Sequence, residues 1–142
     1  MSRRLRILHL EDEPDFAELV ATMLAQDSVD ADILRVGDRQ GFQEAVVKEK
    51  FDLILSDFHL PSFTGLEALA IARKNCPSTP FILISGTIGE AAAIEGLKAG
   101  ATDYLLKQKP ERLASAVRRA VEEASERAKL KDAEAELARR EK

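Results

Sequence analysis

Cysteine is nearly missing from this chain: Cys76 is the only one among 142 residues. No internal disulfide can form, and a reducing, cytoplasmic setting is expected, with Cys76 serving as a small, partly buried apolar residue. Long apolar runs are missing too. No stretch reaches the 18 residues that a membrane span needs, and the opening MSRRLRILHLEDEP lacks a secretory apolar region and cleavage site. Positive charge is in deficit, with a net charge of −4, so no general attraction to nucleic acid or to an anionic membrane is expected. No G-x-G-x-x-G follows the first apolar run, which removes the usual dinucleotide-binding signal. Internal repeats and low-complexity linkers are also missing, and 142 residues leave room for one domain and little else.

What is present is a regular alternation of short apolar strands and amphipathic helices. The most informative stretch is residues 51–65, FDLILSDFHLPSFTG. Leu53 to Ser56 has no polar alternation, as suits a parallel strand buried on both faces, and it runs straight into Asp57. Asp57 at this point reads either as a functional acid or as a cap on the following turn. Around it, strands are expected at Arg6–Leu10, Ala31–Val36, Phe81–Ser85 and Asp103–Leu106. Helices are expected at Asp15–Gln26 behind Pro14, Arg39–Lys50, Leu66–Asn75 and Glu90–Lys98, the last closed by Gly100. From Pro110 onward one long helix is expected, since no glycine or proline interrupts the chain through Lys142. The βαβαβαβαβα order implies a parallel sheet with helices on both faces and right-handed crossovers.

Four of the five strands end at a usable polar group: Glu11 with Asp12, Asp57, Ser85, and Lys107. The end of the second strand, near Gly37, does not join this set. In an open parallel sheet these ends share one edge, where chemistry collects. Carboxylates brought within ~4 Å repel by several kcal/mol per pair at an effective dielectric of about 20, so they call for a cation. With neither Cys nor His arranged as a ligand, an all-oxygen site suits Mg²⁺ better than zinc. One carboxylate could then attack phosphorus to give an acyl phosphate, with Lys107 and Ser85 meeting the charge that develops.

The combination LEDEP, LILSD followed by LPSFTG, ILISG, and GATDYLLK closely resembles the receiver domain of bacterial two-component response regulators, over about residues 5–120. The resemblance implies a flavodoxin-like, doubly wound, five-stranded sheet in the order 2-1-3-4-5. It implies that Asp57 is the phosphoacceptor for a histidine kinase or phosphotransfer protein. It also makes Glu11 and Asp12 the metal-holding acidic pair, with Asp57 and the backbone carbonyl of His59 completing the Mg²⁺ contacts. Ser85 becomes the switch hydroxyl, Tyr104 the switch aromatic and Lys107 the active-site lysine. Three residues depart from the pattern: Glu11 for a shorter Asp, Gly86 for a commoner alanine, and Gln108 where proline usually follows the lysine. The last puts the geometry of the Lys107–Gln108 peptide in question, because a cis bond before a non-proline residue costs about 2.5–4 kcal/mol.

Other residues read more plainly. His59 lies in a loop and is expected at the pocket rim rather than as a phosphorelay histidine; His9 is expected to be a partly buried structural histidine inside a strand. Glu13 suits the first turn of a helix and is left out of the metal set. Thr87 is expected on the same edge as Ser85. The receiver is expected to occupy residues 1–120 and a charged helical extension residues 121–142, where Leu130 and Leu137 stand among charges. That extension reads as a weakly coded coiled coil or connector, and a homodimer through the fourth helix, fifth strand, fifth helix and this tail is the expected assembly. Two rival functions remain. A Mg²⁺-dependent aspartyl phosphohydrolase commonly needs a second acid two residues after the nucleophile, where His59 stands; a pseudo-receiver scaffold would not need the complete acid, hydroxyl and amine set.

Overall fold

The computed structural model describes residues 4–86 and 90–141. Strands and helices alternate in the order β1 (Leu5–Leu10), α1 (Pro14–Gln26), β2 (Ala31–Val36), α2 (Arg39–Lys48), β3 (Leu53–Asp57), α3 (Gly65–Asn75), β4 (Phe81–Ser85), α4 (Glu90–Lys98), β5 (Asp103–Leu106) and α5 (Leu113–Arg140). The strands form one parallel sheet in the order β2-β1-β3-β4-β5, the flavodoxin-like topology read from the sequence. β3 and β4 are buried at every residue, as their unbroken apolar runs require, whereas edge strand β2 is largely open to solvent.

Side-chain alternation divides the core into two layers. Leu5 and Ile7 of β1, Leu55 of β3 and Ile82 and Ile84 of β4 face α1 and α5. Leu8, Leu10, Ile54 and Leu83 face the opposite side, against Phe42 of α2 and Ala68, Leu69 and Ala72 of α3. Helix starts are locally encoded. Asp38 caps α2 by accepting from the Gly41 N–H at 2.8 Å, and Thr64 with Glu67 forms a reciprocal capping box on α3. Gly100, at φ 111°, closes α4 in a conformation that favours glycine.

Gly65 fixes how α3 meets β3. A Cβ there would lie 2.7 Å from the Asp57 carbonyl oxygen and 2.7 Å from Leu83 Cδ2, so only glycine lets the helix start this close. The loop between them is pinned on both sides, with the Gly65 N–H donating to the Phe58 carbonyl at 2.8 Å and the Leu60 N–H to the Phe63 carbonyl at 3.2 Å.

Two sequence expectations change. The last helix does not begin at Pro110: residues Pro110–Arg112 make one 3₁₀ turn, and the α-helix starts at Leu113. Tight turns of this kind are common at helix starts, and Pro110 needs no N–H partner there. His9 is not partly but almost wholly buried, at 1% exposure, because α1 and α5 both close over that face of β1. No described helix is long and apolar enough to cross a membrane.

Candidate functional site: an acidic pocket at the carboxyl edge of the sheet

The ends of β1, β3 and β5 bring four charged side chains together. Glu11 is fully buried and Asp57 nearly so, at 5% exposure, while Asp12 is partly open to solvent. One carboxylate oxygen from each of the three lies within 4.8 Å of the others. The Lys107 ammonium reaches between two of them, 3.0 Å from Glu11 Oε1 and 3.2 Å from Asp57 Oδ2. The other oxygens of these two acids meet backbone donors: Glu11 Oε2 accepts from the Glu13 N–H at 3.1 Å, and Asp57 Oδ1 from the His59 N–H at 3.3 Å. Asp57 therefore does cap its own turn, and it stands in the acidic pocket as well. Ser85 closes β4 on the same edge at 1% exposure, and Lys107 donates its backbone N–H to the Ser85 carbonyl at 2.9 Å.

Burial sets the electrostatics. Desolvation pushes the Glu11 carboxyl up to about 7, a rise that the Lys107 and Glu13 hydrogen bonds oppose and the Asp57 charge reinforces. Burial alone would lower the Lys107 ammonium, but its hydrogen bond to Glu11 and the charges of Glu11 and Asp57 raise it on balance. One cation thus faces three acids, and it contacts Glu11 Oε1 and Asp57 Oδ2 together. The donor set is all oxygen, short of positive charge and open at Asp12. Those properties fit a hard divalent cation that keeps some of its water, Mg²⁺ above all. Below the pocket, His9 has neither ring nitrogen hydrogen-bonded, and burial holds it down at about 4, helped by the charges of Lys107 and Arg35.

The family model for the response regulator receiver domain matches residues 7–118 of the chain. The chain belongs to this family. It is a receiver domain of the two-component response regulators, which are signalling switches rather than conventional enzymes. Over 107 residues it is 36% identical to the response regulator protein PilR of Pseudomonas aeruginosa, covering 75% of this chain and 23% of PilR. The chain spans half or less of the length of the curated relatives it matches. Among solved structures, it is similar to the signal receiver domain of a putative LuxO repressor protein from Vibrio parahaemolyticus, at TM-score 0.81 and 25% identity, covering 90% of this chain and 98% of that one. It is also similar to the receiver domain of the sensor histidine kinase PA1611 from Pseudomonas aeruginosa, at TM-score 0.72 and 25% identity, covering 84% and 98% of the two chains. The PA1611 domain was solved with a magnesium ion coordinated in its active-site cleft.

The remaining sequence candidates of this receiver fall around the pocket at different depths. His59 is exposed, its ring edge-on to Phe58 at 5.0 Å between centroids, which is a rim position. Tyr104 is half-buried and packs edge-on against Phe58 at 6.3 Å, one residue from Asp57. Glu13 contributes its backbone N–H to Glu11 rather than its carboxylate. Thr87 lies outside the described residues. At Gly86 an added Cβ would come no nearer than 3.8 Å to Lys107 Cδ, so an alanine would fit as well. Among the described residues no peptide bond is cis, and Gln108 donates its side-chain amide to the Gly86 carbonyl.

Two residues that the sequence reading left out also reach the site. Arg35 of β2 donates from Nη1 to the Glu11 carbonyl at 2.8 Å, so the second strand does take part, through a side chain rather than through its end. Phe16 of α1 places its ring 4.6 Å from Lys107 Nζ. The register that sets Arg35 beside His9 is the one signal that could have found the first.

Proposed function

We propose that this domain accepts a phosphoryl group on Asp57 from a phosphohistidine of a histidine kinase or phosphotransfer protein, and that the acyl phosphate so formed switches its surface. The observation that carries this reading is the Asp57 carboxylate, buried at the end of β3 with Lys107 at 3.2 Å and two further acids beside it. In the transfer, an Asp57 oxygen gives an electron pair to phosphorus, the P–N bond breaks, and the imidazole leaves with the bonding pair. The backbone N–H of His59 holds Asp57 Oδ1, which orients the carboxylate towards the pocket. The Lys107 ammonium is close enough to follow the negative charge from the carboxylate to the phosphoryl oxygens, and the Ser85 hydroxyl is a candidate second donor. Glu11, Asp12, Asp57 and the His59 carbonyl would hold Mg²⁺, which supplies the positive charge that the acids lack and polarises the phosphoryl group. Hydrolysis of the acyl phosphate returns Asp57 and inorganic phosphate, so the domain turns over only as a switch.

The same reading assigns residues 1–120 to the switch and residues 121–142 to a connector, supported by Ala120 being the last buried residue of α5. Ser85 and Tyr104 would carry the change to the face formed by α4, β5 and α5, where a second copy of the chain docks. The test is incubation of the full chain with acetyl phosphate and Mg²⁺, read by intact mass. One phosphoryl mass is expected on the parent and none on Asp57→Asn. Equal labelling of the variant, or undiminished labelling of the parent in EDTA, would overturn the assignment.

A further inference from the structure

We propose that Phe16 is a positioning residue for Lys107, holding the ammonium between Glu11 and Asp57 through the face of its ring; this rests on the phosphoacceptor reading above. An ammonium has three N–H donors. Two directions are taken by Glu11 Oε1 at 3.0 Å and Asp57 Oδ2 at 3.2 Å. On another side the Phe16 ring stands with its centroid 4.6 Å from Nζ, within the range where the negative face of an aromatic ring attracts a cation. The Lys107 side chain is only 18% exposed, so this attraction acts where water screens it little.

The ring is itself held in place. It meets the His9 ring edge-on at 6.4 Å and 65°, and it lines a narrow crevice with Ile84, Leu105 and Leu113 between α1 and the start of α5. A ring face also differs from a hydrogen-bond acceptor in what it allows. An acceptor would fix Nζ along one direction, whereas a ring attracts it over an area. Lys107 can then exchange the Asp57 carboxylate for a phosphoryl oxygen while it keeps its contact with the ring.

The test compares Phe16→Leu, which keeps apolar bulk and loses the ring, with Phe16→Tyr, which keeps the ring. Two readouts are taken on the full chain. The first is the rate of phosphoryl transfer from acetyl phosphate with Mg²⁺. Phe16→Leu should slow it about fivefold, inside the range that a partly buried cation–π contact implies, and Phe16→Tyr should stay within about twofold of the parent. The second is the proton chemical shift of the Lys107 Cε methylene, which a ring at this distance moves upfield. That shift should vanish in the leucine variant and persist in the tyrosine variant. Equal rates for leucine and parent, or a tyrosine variant as slow as leucine, would overturn the positioning role. If the parent were not labelled at all, the phosphoacceptor reading would fail while the chemical shift still tested the contact between Phe16 and Lys107.

Discussion

Replacing Glu11 with glutamine keeps the shape of a wholly buried side chain and removes its ability to ionise. In the metal-free domain Glu11 titrates at about 7 rather than at its ordinary 4.5, because burial disfavours the carboxylate. The native state therefore holds this proton more tightly than the unfolded chain does. The stability it contributes is fully present below pH 4.5 and is lost as pH rises through 7. The rise from 4.5 to about 7 is about 2.5 units, and at 1.36 kcal/mol per unit the charged Glu11 costs about 3 kcal/mol above pH 7.5. His9 runs the other way. Its native value of about 4 lies below the ordinary 6.5, so the unfolded chain takes that proton first and stability falls as pH drops from 6.5. The two gradients oppose each other between pH 4.5 and 6.5, which leaves the parent nearly flat there. Urea unfolding in EDTA at several pH values between 4.5 and 8 measures both chains. The stability of Glu11→Gln minus that of the parent should grow by about 3 kcal/mol across the range, whatever constant offset the change from carboxyl to amide adds. A difference that stays level with pH would refute the claim that burial governs this carboxylate.

Two further outcomes are expected. Gly65→Ala should lose about 1–3 kcal/mol in urea unfolding, because its Cβ would lie 2.7 Å from the backbone oxygen of Asp57, which cannot move aside without disturbing the end of β3; an unchanged midpoint would mean that α3 and β3 are less tightly engaged. Beryllofluoride with Mg²⁺ should raise the mass seen by light scattering for the full chain and not for a version ending at Ala120; identical masses in all four conditions would remove the tail from the response.

The fold was legible because its punctuation is local. The bounds expected for β2, α4 and β5 coincide with those observed, and each is flanked by a glycine, a proline or a sharp change from apolar to polar residues. The site was legible for a related reason: in a parallel sheet, a polar residue directly after an apolar run must stand at the shared carboxyl edge. Arg35 escaped notice because a charged residue on an exposed edge strand is the default there, and its reach to the Glu11 carbonyl depends on the register of β2 against β1, which strand order alone does not fix. Phe16 falls inside the expected helix Asp15–Gln26, where an apolar residue at a core-facing position is the ordinary pattern. Its contact with Lys107 arises only when α1 and the end of β5 meet across the sheet. The depth of His9 has the same origin, since strand alternation says which face a residue takes and not how completely two helices will cover it.

The departure of α5 from the domain makes it a lever. From Val121 to Arg140 the helix continues for about 30 Å at 1.5 Å per residue, with Leu130 and Leu137 two turns apart along one side. A tilt of about 5° at its root, where Leu113 and Val117 are wedged against the sheet, sweeps the far end through about 3 Å. A displacement at β4 or β5 too small to repack the core would thereby be multiplied into a distance that a facing side chain can feel. Beside the contacts that Leu130 and Leu137 offer, the charged helix would contribute stiffness.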